Sequence, residues 1–204
     1  MVTTLTHISR GRRNRPSRIG YSSVMALKAT ICKAGLQIAD MDRNYYGTHA
    51  LTVARHPSET DERMMVRLLA FALNAHEYLA FGKGLSETEE PDLWQKDLTG
   101  AIEHWIEVGQ PDDKRLLRAC GRADRVTVYA YGNRAELWWK PLAEKLERAK
   151  NLAVWRVPVA AAQALEKFAA RSMELQCTAQ EGRLYFSSAA ETVELELIAL
   201  KTFG

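Results

Sequence analysis

The stretch RVTVYAYGNRAELWWKPLAEKLERAKNLAVWRV, residues 125–157, decides the fold class of this chain. It begins with a run of β-branched and aromatic residues that is typical of a buried strand and that ends at Gly132. Residues 134–149 have the charged, amphipathic pattern of a helix, and residues 152–157 return to the strand pattern. A strand, a helix and a second strand in succession predict a mixed α/β domain with helices around one core sheet.

The segments on either side of this stretch continue the alternation of helices and strands. On the carboxyl side we predict a helix over residues 159–171. On the amino side we predict a short helix over residues 112–123 and two or three strands within residues 78–110. A small antiparallel meander should complete the domain, with strands at 172–180, 183–187 and 192–199.

The first part of the domain is predicted to be a hairpin followed by a helix. Residues 26–39 alternate between apolar and polar types except at Gly35, which suggests a bulge or bend, and residues 48–55 form the second strand. Ser58 has the residue type of a helix N-cap, and an acid three residues later resembles a capping box. We therefore expect a helix that begins near Ser58.

The net charge of the chain is concentrated at one end. The 204 residues include 28 Lys and Arg and 25 Asp and Glu, a formal net charge of +3. Residues 1–24 contain five of the arginines and no acid, which leaves 23 basic residues against 25 acids in residues 25–204. With 47% hydrophobic residues and no run of roughly 18 apolar residues, the composition excludes collagen, a wholly disordered chain and a membrane-spanning helix.

Residues 1–24 are predicted to be a disordered basic extension of a single domain at residues 25–204, because they lack the apolar periodicity of a packed segment. Three interpretations remain open for this extension. It could be a basic arm that contacts nucleic acid, an organellar transit peptide, or an upstream extension before a translation start at Met25. No secretory signal follows the arginines, and the three cysteines are widely spaced, so we expect a cytoplasmic protein.

Acidic residues within PDLWQKDLTGAIEHWIEVGQPDDK, residues 91–114, are the best candidates for a functional site. On a strand, Glu103, Trp105 and Glu107 would share one face, because side chains alternate with a period of two. A hairpin would bring Asp92, on the preceding strand, close to Glu107. Two adjacent carboxylates can hold a hard divalent cation, usually magnesium, which can activate water for attack on a phosphodiester.

Further candidates lie in the first helix and among the arginines. Glu62 falls at the edge of the buried stripe of that helix and could join the carboxylate pair, or it could simply be a first-turn acid that interacts with the helix dipole. Arg55, Arg63 and Arg134 could bind phosphates through their guanidinium groups, or could pair with the abundant acids. Most of the tryptophans are expected in the core, although Trp105, which would share a face with the acids, could stack on a nucleic-acid base.

Several longer stretches carry a resemblance to a known family. They include MALKATI at 25–31, LTVARHPSETDERMMVRLLA at 51–70, WIEVGQPD at 105–112 and YGNRAELWW at 131–139. Together they resemble the bacterial YaeQ family over nearly the whole predicted domain. That family is similar in fold to the PD-(D/E)XK nuclease superfamily, so the resemblance implies a restriction-endonuclease-like core.

The resemblance also implies roles for individual residues. Asp92 and Glu107 would be the motif carboxylates that bind magnesium, and Glu62 would be the helix acid of the same site. The motif lysine would stand where this chain has Gly109, so Lys114 or Gln110 would have to assist the attacking water. The resemblance thus implies a magnesium-dependent nuclease or phosphodiesterase with a displaced lysine, or a nuclease-fold protein that binds or regulates without cutting.

Overall fold

A computed structural model describes residues 29–84 and 89–204, in which helices and strands follow one another in mixed order. The strands are β1 (Thr30–Asp40), β2 (Tyr45–Arg55), β3 (Leu79–Phe81), β4 (Leu93–Lys96), β5 (Ile102–Val108), β6 (Ala123–Ala130), β7 (Leu152–Arg156), β8 (Ser172–Gln180), β9 (Arg183–Ser187), β10 (Thr192–Glu196) and β11 (Ile198–Lys201). The helices are α1 (Asp61–Asn74), α2 (Asp113–Cys120), α3 (Ala135–Lys145) and α4 (Val159–Glu166). The predicted mixed α/β class is confirmed.

The strands divide between two sheets, whereas the sequence predicted one core sheet. The first sheet has the order β10-β9-β8-β1-β2, with β1 parallel to β8 and the other neighbours antiparallel. The second has the order β11-β7-β6-β5-β4-β3, in which β5, β6 and β7 are parallel. The predicted meander of β8, β9 and β10 is confirmed, but β11 pairs with β7 in the second sheet.

Helix α1 explains why the domain needs two sheets. Nine consecutive residues of α1, 64–72, are buried, and a helix that is buried around its whole circumference must be covered on every side. It packs against α4 and contacts both β1 of the first sheet and β5 of the second. One core therefore surrounds α1 between the sheets, and a second core lies beneath α2 and α3 on the other face of the second sheet.

The start of α1 differs from the prediction. The helix begins at Asp61 because Thr60, and not Ser58, is its N-cap. The Thr60 hydroxyl accepts a hydrogen bond of 3.1 Å from the backbone N–H of Arg63. The Ser58 hydroxyl instead lies 2.7 Å from Nδ1 of His56, so it is engaged before the helix begins.

The hairpin of β1 and β2 is regular along its whole length, so the bulge or bend predicted at Gly35 is absent from it. A Cβ atom at Gly35 would lie 2.3 Å from a carboxylate oxygen of Glu174 on the neighbouring β8. Glycine therefore makes room for a neighbouring side chain at this position. The basic extension predicted at residues 1–24 lies outside the described residues. Across the described ranges, no helix has the length and apolar character needed to span a membrane.

Candidate functional site

Asp92 and Glu107 occupy neighbouring positions at the end of the hairpin formed by β4 and β5. The register pairs Leu93 with Ile106, and Asp92 and Glu107 are the next residues beyond that pair. Both are buried, with Asp92 4% and Glu107 3% exposed. Oδ2 of Asp92 accepts a hydrogen bond of 2.7 Å from the backbone N–H of Val108, which ties the two strand ends together. The hairpin expected from the sequence is confirmed.

The surroundings of Glu107 disfavour its charged form. Burial raises the pKa of Glu107, and the negative charge of Asp92 raises it further. Hydrogen bonds from Arg115 and from the indole of Trp105 oppose this increase without cancelling it. Added positive charge near the carboxylate pair would therefore be favourable.

Arg63 provides the cation for Asp92. Its Nη2 donates to Oδ1 of Asp92 at 2.7 Å and to the carbonyl oxygen of Val108 at 3.2 Å. Its Nη1 donates to Oε1 of Glu59 at 2.9 Å. Burial lowers the pKa of Arg63, but the charges of Asp92 and Glu59 outweigh that effect and raise it overall. Arg63, a candidate for phosphate contact, is thus engaged in two ion pairs.

Glu59 links this ion pair to the centre of α1. Its Oε2 accepts a hydrogen bond of 2.8 Å from Nη2 of Arg67, which is only 1% exposed. The same nitrogen of Arg67 donates to the carbonyl oxygen of Ala54 on β2 at 3.1 Å. Buried charges must be compensated, and here the two carboxylates of Glu59 and Asp92 compensate the two arginines.

Arg115 provides the cation for Glu107. Its Nε donates to Oε1 of Glu107 at 2.8 Å, and its Nη2 donates to Oε2 at 3.2 Å. The indole Nε1 of Trp105 also donates to Oε1, at 2.7 Å. Nη2 of Arg115 donates further to the carbonyl oxygen of Glu90 at 2.8 Å. Each carboxylate of the pair therefore has its own arginine.

The backbone favours glycine at position 109, where the resemblance implied a lysine in the motif. Gly109 has a φ of +111°, a conformation that strains any residue with a side chain. Lys114 is exposed in the first turn of α2, whereas Arg115, about 100° further round the helix, reaches the strand. The side-chain amide of Gln110 donates to the carbonyl oxygen of Tyr131 at 2.9 Å and so joins the ends of β5 and β6.

Glu62 lies toward α4. Partial burial raises the pKa of Glu62, and the charge of Glu166 on α4 raises it further. Burial also raises the pKa of Tyr131, whose charged neighbours include Arg63 and Glu62 and whose hydroxyl bonds to the side chain of Thr60. Within residues 29–84 and 89–204, no three His, Cys, Asp or Glu side chains are grouped as metal ligands, so Glu62 is not gathered with the pair.

The remaining candidates are dispersed. Nη1 of Arg55 lies 2.6 Å from Oδ1 of Asp61, and Arg134 is exposed at the N-cap of α3. Trp105 is 2% exposed, so it is a core residue, as expected for most of the tryptophans, and the alternative that it stacks on a base is wrong. Its ring instead meets the edge of Trp94, with 6.4 Å between ring centroids.

Glu103 does not share the environment of Glu107, contrary to the alternation expected for this strand. The register of β4 against β5 shifts between Gln95 and Lys96, and Glu103 accepts a hydrogen bond from the side chain of Gln95. Ile102 correspondingly packs with the core beneath α2 and α3. A β-bulge changes the face to which subsequent side chains point, so the period of two holds only for the end of β5.

A family model described as YaeQ protein matches residues 25–197, which include every site residue described above. This chain belongs to the YaeQ family. Curated YaeQ relatives from Salmonella typhi and Escherichia coli K12, both described as "Uncharacterized protein YaeQ", are 46% and 43% identical over 176 residues, covering 86% of this chain and 97% of each relative.

Solved YaeQ structures have the same fold. The crystal structure of the YaeQ protein from Xanthomonas axonopodis pv. citri matches with a TM-score of 0.83 and 46% identity, over 85% of this chain and 99% of that one. The YaeQ protein from Pseudomonas syringae matches with a TM-score of 0.82 and 38% identity, over 85% and 97% of the two chains.

Three residues of the site in this YaeQ family member, Glu59, Arg67 and Arg115, were missed from the sequence. Glu59, Arg63 and Arg67 are spaced four residues apart, a spacing that places side chains on one face and could have revealed the network. Leu116 and Ala119 are the buried residues of α2, so that side of the helix packs against the sheet. Arg115, next to Leu116, could have been found from this orientation. Neither the four-residue spacing nor the buried face of α2 shows which carboxylate each arginine pairs with, because that depends on the fold.

Proposed function

We propose that this YaeQ family member is a magnesium-dependent nuclease or phosphodiesterase of the PD-(D/E)XK type, with nucleic acid as its partner and the cytoplasm as its location. The observation that carries the proposal is the adjacent, buried pair of Asp92 and Glu107 at the ends of β4 and β5. Mutual repulsion contributes to the raised pKa of Glu107, and a divalent cation would offset that repulsion.

The donor atoms at the pair suit a hard cation. Nη2 of Arg63 lies 2.7 Å from Oδ1 of Asp92 and 3.2 Å from the carbonyl oxygen of Val108, so both oxygens already face one cationic atom. Carboxylate and carbonyl oxygens are ligand types that bind magnesium. Asp92, Glu107 and the Val108 carbonyl would hold the ion, and Glu62, which is not grouped with the pair, would act only through an intervening water. Magnesium would supply Lewis acidity and an activated water at this site.

The chain's own side chains would position the phosphodiester and move the proton. Arg115 and Arg63 carry fixed positive charge beside the carboxylates, and guanidinium groups bind phosphate oxygens in a bidentate manner. Arg55 and Arg134 would extend this contact along the nucleic acid. Lys114, which is exposed, would assist the attacking water; Gln110 is the second candidate for that role.

A non-catalytic binding or regulatory role is the second candidate, and one observation favours it. Asp92 and Glu107 each have an arginine within hydrogen-bonding distance, so their charges are compensated by the protein itself. Ion pairs of this kind can fix two helices against the ends of two strands without taking part in a reaction. In that case the pair would be structural, and nucleic acid or protein binding would occur elsewhere on the surface.

Calorimetric titration of Mg²⁺ and Mn²⁺ into the full-length protein separates the two candidates. The proposal predicts binding that is lost in Asp92→Asn and Glu107→Gln and retained in Glu103→Gln, a matched carboxylate on the same strand that lies outside the pair. Cleavage of single- and double-stranded DNA and RNA should follow the same order. Equal titration curves for the wild type, Glu107→Gln and Glu103→Gln would leave only the non-catalytic candidate.

A further inference from the structure

A cavity of about 380 Å³ is lined by residues of both sheets, at the opposite end of α1 from the carboxylate pair. Its wall combines the turn after β1, the end of α1, β6, β7 and the link after β10, represented by Arg43, Leu73, Tyr129, Trp155 and Leu197. An α-helix rises about 1.5 Å per residue, so Leu73 lies roughly 15 Å along α1 from Arg63. The cavity is therefore separate from the candidate nuclease site.

The wall of this cavity is mainly apolar and aromatic. Leu73, Leu184 and Leu197 contribute aliphatic surface, and Tyr129 and Trp155 contribute rings from adjacent strands of the second sheet. The Tyr129 hydroxyl accepts a hydrogen bond of 2.7 Å from the side-chain amide of Asn74, which holds the ring in place. Small-molecule sites commonly have volumes of about 300–1,000 Å³ and apolar walls with a few polar groups.

The polar groups of the wall carry an excess of negative charge. Asp40, Asp42 and Glu196 line the cavity together with a single basic residue, Arg43. Nε of Arg43 lies 2.6 Å from Oδ2 of Asp40, so these two charges compensate each other. Asp42 accepts hydrogen bonds of 2.7 and 3.0 Å from backbone N–H groups of the turn between β8 and β9, which fix the position of its carboxylate. Asp42 and the exposed Glu196 therefore leave the wall with two negative charges.

We propose that this cavity binds a small organic cation with an apolar or aromatic body. The ammonium group would lie toward Asp42 and Glu196, and the body would lie against Trp155 and Tyr129. Aromatic faces attract cations, and an excess of carboxylates in the wall favours positive ligands over anions of the same shape. This site is independent of the proposed nuclease function and does not depend on magnesium.

Three probes of similar shape and different charge test the proposal: phenethylamine, 2-phenylethanol and 3-phenylpropanoate, each titrated calorimetrically into the full-length protein. Phenethylamine should bind most tightly and 3-phenylpropanoate most weakly. Glu196→Gln should weaken phenethylamine binding by about three- to tenfold and leave 2-phenylethanol unchanged. Glu191→Gln, an exposed acid outside the cavity wall, should leave both unchanged.

Trp155→Leu should weaken phenethylamine and 2-phenylethanol alike, because it removes the ring from the wall. The melting curve of Trp155→Leu, followed by circular dichroism, shows whether that variant is still folded. Glu196 is exposed, so Glu196→Gln should fold normally and tests the proposal even if Trp155→Leu does not fold. Absence of phenethylamine binding, equal binding of all three probes, or equal effects of Glu191→Gln and Glu196→Gln would each overturn the proposal.

Discussion

Arg115 holds Glu107 through two hydrogen bonds, from Nε to Oε1 at 2.8 Å and from Nη2 to Oε2 at 3.2 Å. The preceding residue in α2, Lys114, is exposed. The carboxylate at the end of β5 therefore takes its positive partner from a position one residue away from the lysine that the sequence suggested. This difference has direct consequences for stability and for the assignment of roles.

Arg115→Met should lower the free energy of unfolding by roughly 1–3 kcal/mol, because it leaves the buried carboxylate of Glu107 without its charged partner. Lys114→Met, the matched control, should change it by less than about 0.5 kcal/mol. Urea denaturation followed by circular dichroism measures both. Equal, small effects of the two variants would show that the Glu107 pair contributes little to the fold.

Removal of the Glu107 charge should change how stability depends on pH. The pKa of Glu107 is raised above its ordinary value of 4.5, so the folded state binds its proton more tightly than the unfolded state does. Ionisation of Glu107 therefore destabilises the wild type as the pH rises through and above that value. The stability of Glu107→Gln relative to wild type should increase with pH from about 4 upward and then level off. A difference that is constant from pH 4 to 8, or that decreases, would contradict the raised pKa.

If Asp92 and the Val108 carbonyl bind magnesium, Arg63 competes with the ion for both oxygens. Arg63→Met should then raise the affinity for Mg²⁺ about tenfold, since it frees these ligands and removes a like charge. Arg55→Met serves as the control, because Arg55 pairs with Asp61 and not with the proposed ligands. It should leave the affinity for Mg²⁺ unchanged. A lower Mg²⁺ affinity in Arg63→Met would instead assign Arg63 to holding the site in shape.

Two glycine substitutions should change stability in opposite directions. Gly109→Ala forces a side chain into a φ of +111° and should cost about 1–3 kcal/mol. Gly121 lies at the end of α2 with a φ of −81°, and a Cβ atom there would meet its nearest neighbour at 3.6 Å. Gly121→Ala should therefore stabilise the protein by about 0.4–1 kcal/mol. Thermal melts of the two variants check the signs, and stabilisation by Gly109→Ala would contradict the strained conformation.

The sequence was informative about local elements and less so about their partners. The strand pattern predicted a hairpin that could bring Asp92 close to Glu107, and the register of β4 and β5 confirms that hairpin. The pattern could not reveal that β11 leaves the meander to pair with β7, since that choice depends on contacts between distant segments. The pattern also could not show that Arg115, and not Lys114, contacts Glu107. That contact depends on how a short helix is rotated against the sheet.

Glu59 illustrates a different limit. An acid just before a helix is usually explained by the helix dipole, and that explanation requires no partner. Its burial, and its contacts with Arg63 and Arg67, follow from the position of α1 between two sheets. Local sequence cannot predict burial on all sides, which is a property of the assembled layers.

The parallel pairing of β1 with β8, in which Lys33 lies beside Ser172, also constrains the order of events during synthesis. The first sheet cannot close until β8 has left the ribosome, so the hairpin of β1 and β2 and the apolar surface of α1 stay uncovered until then. Nonlocal pairing of this kind slows folding and prolongs the exposure of apolar surfaces and unpaired strand edges, which promote aggregation. A nascent chain truncated before β8 should therefore be recognised by chaperones and should aggregate, because β1 lacks the strand with which it pairs.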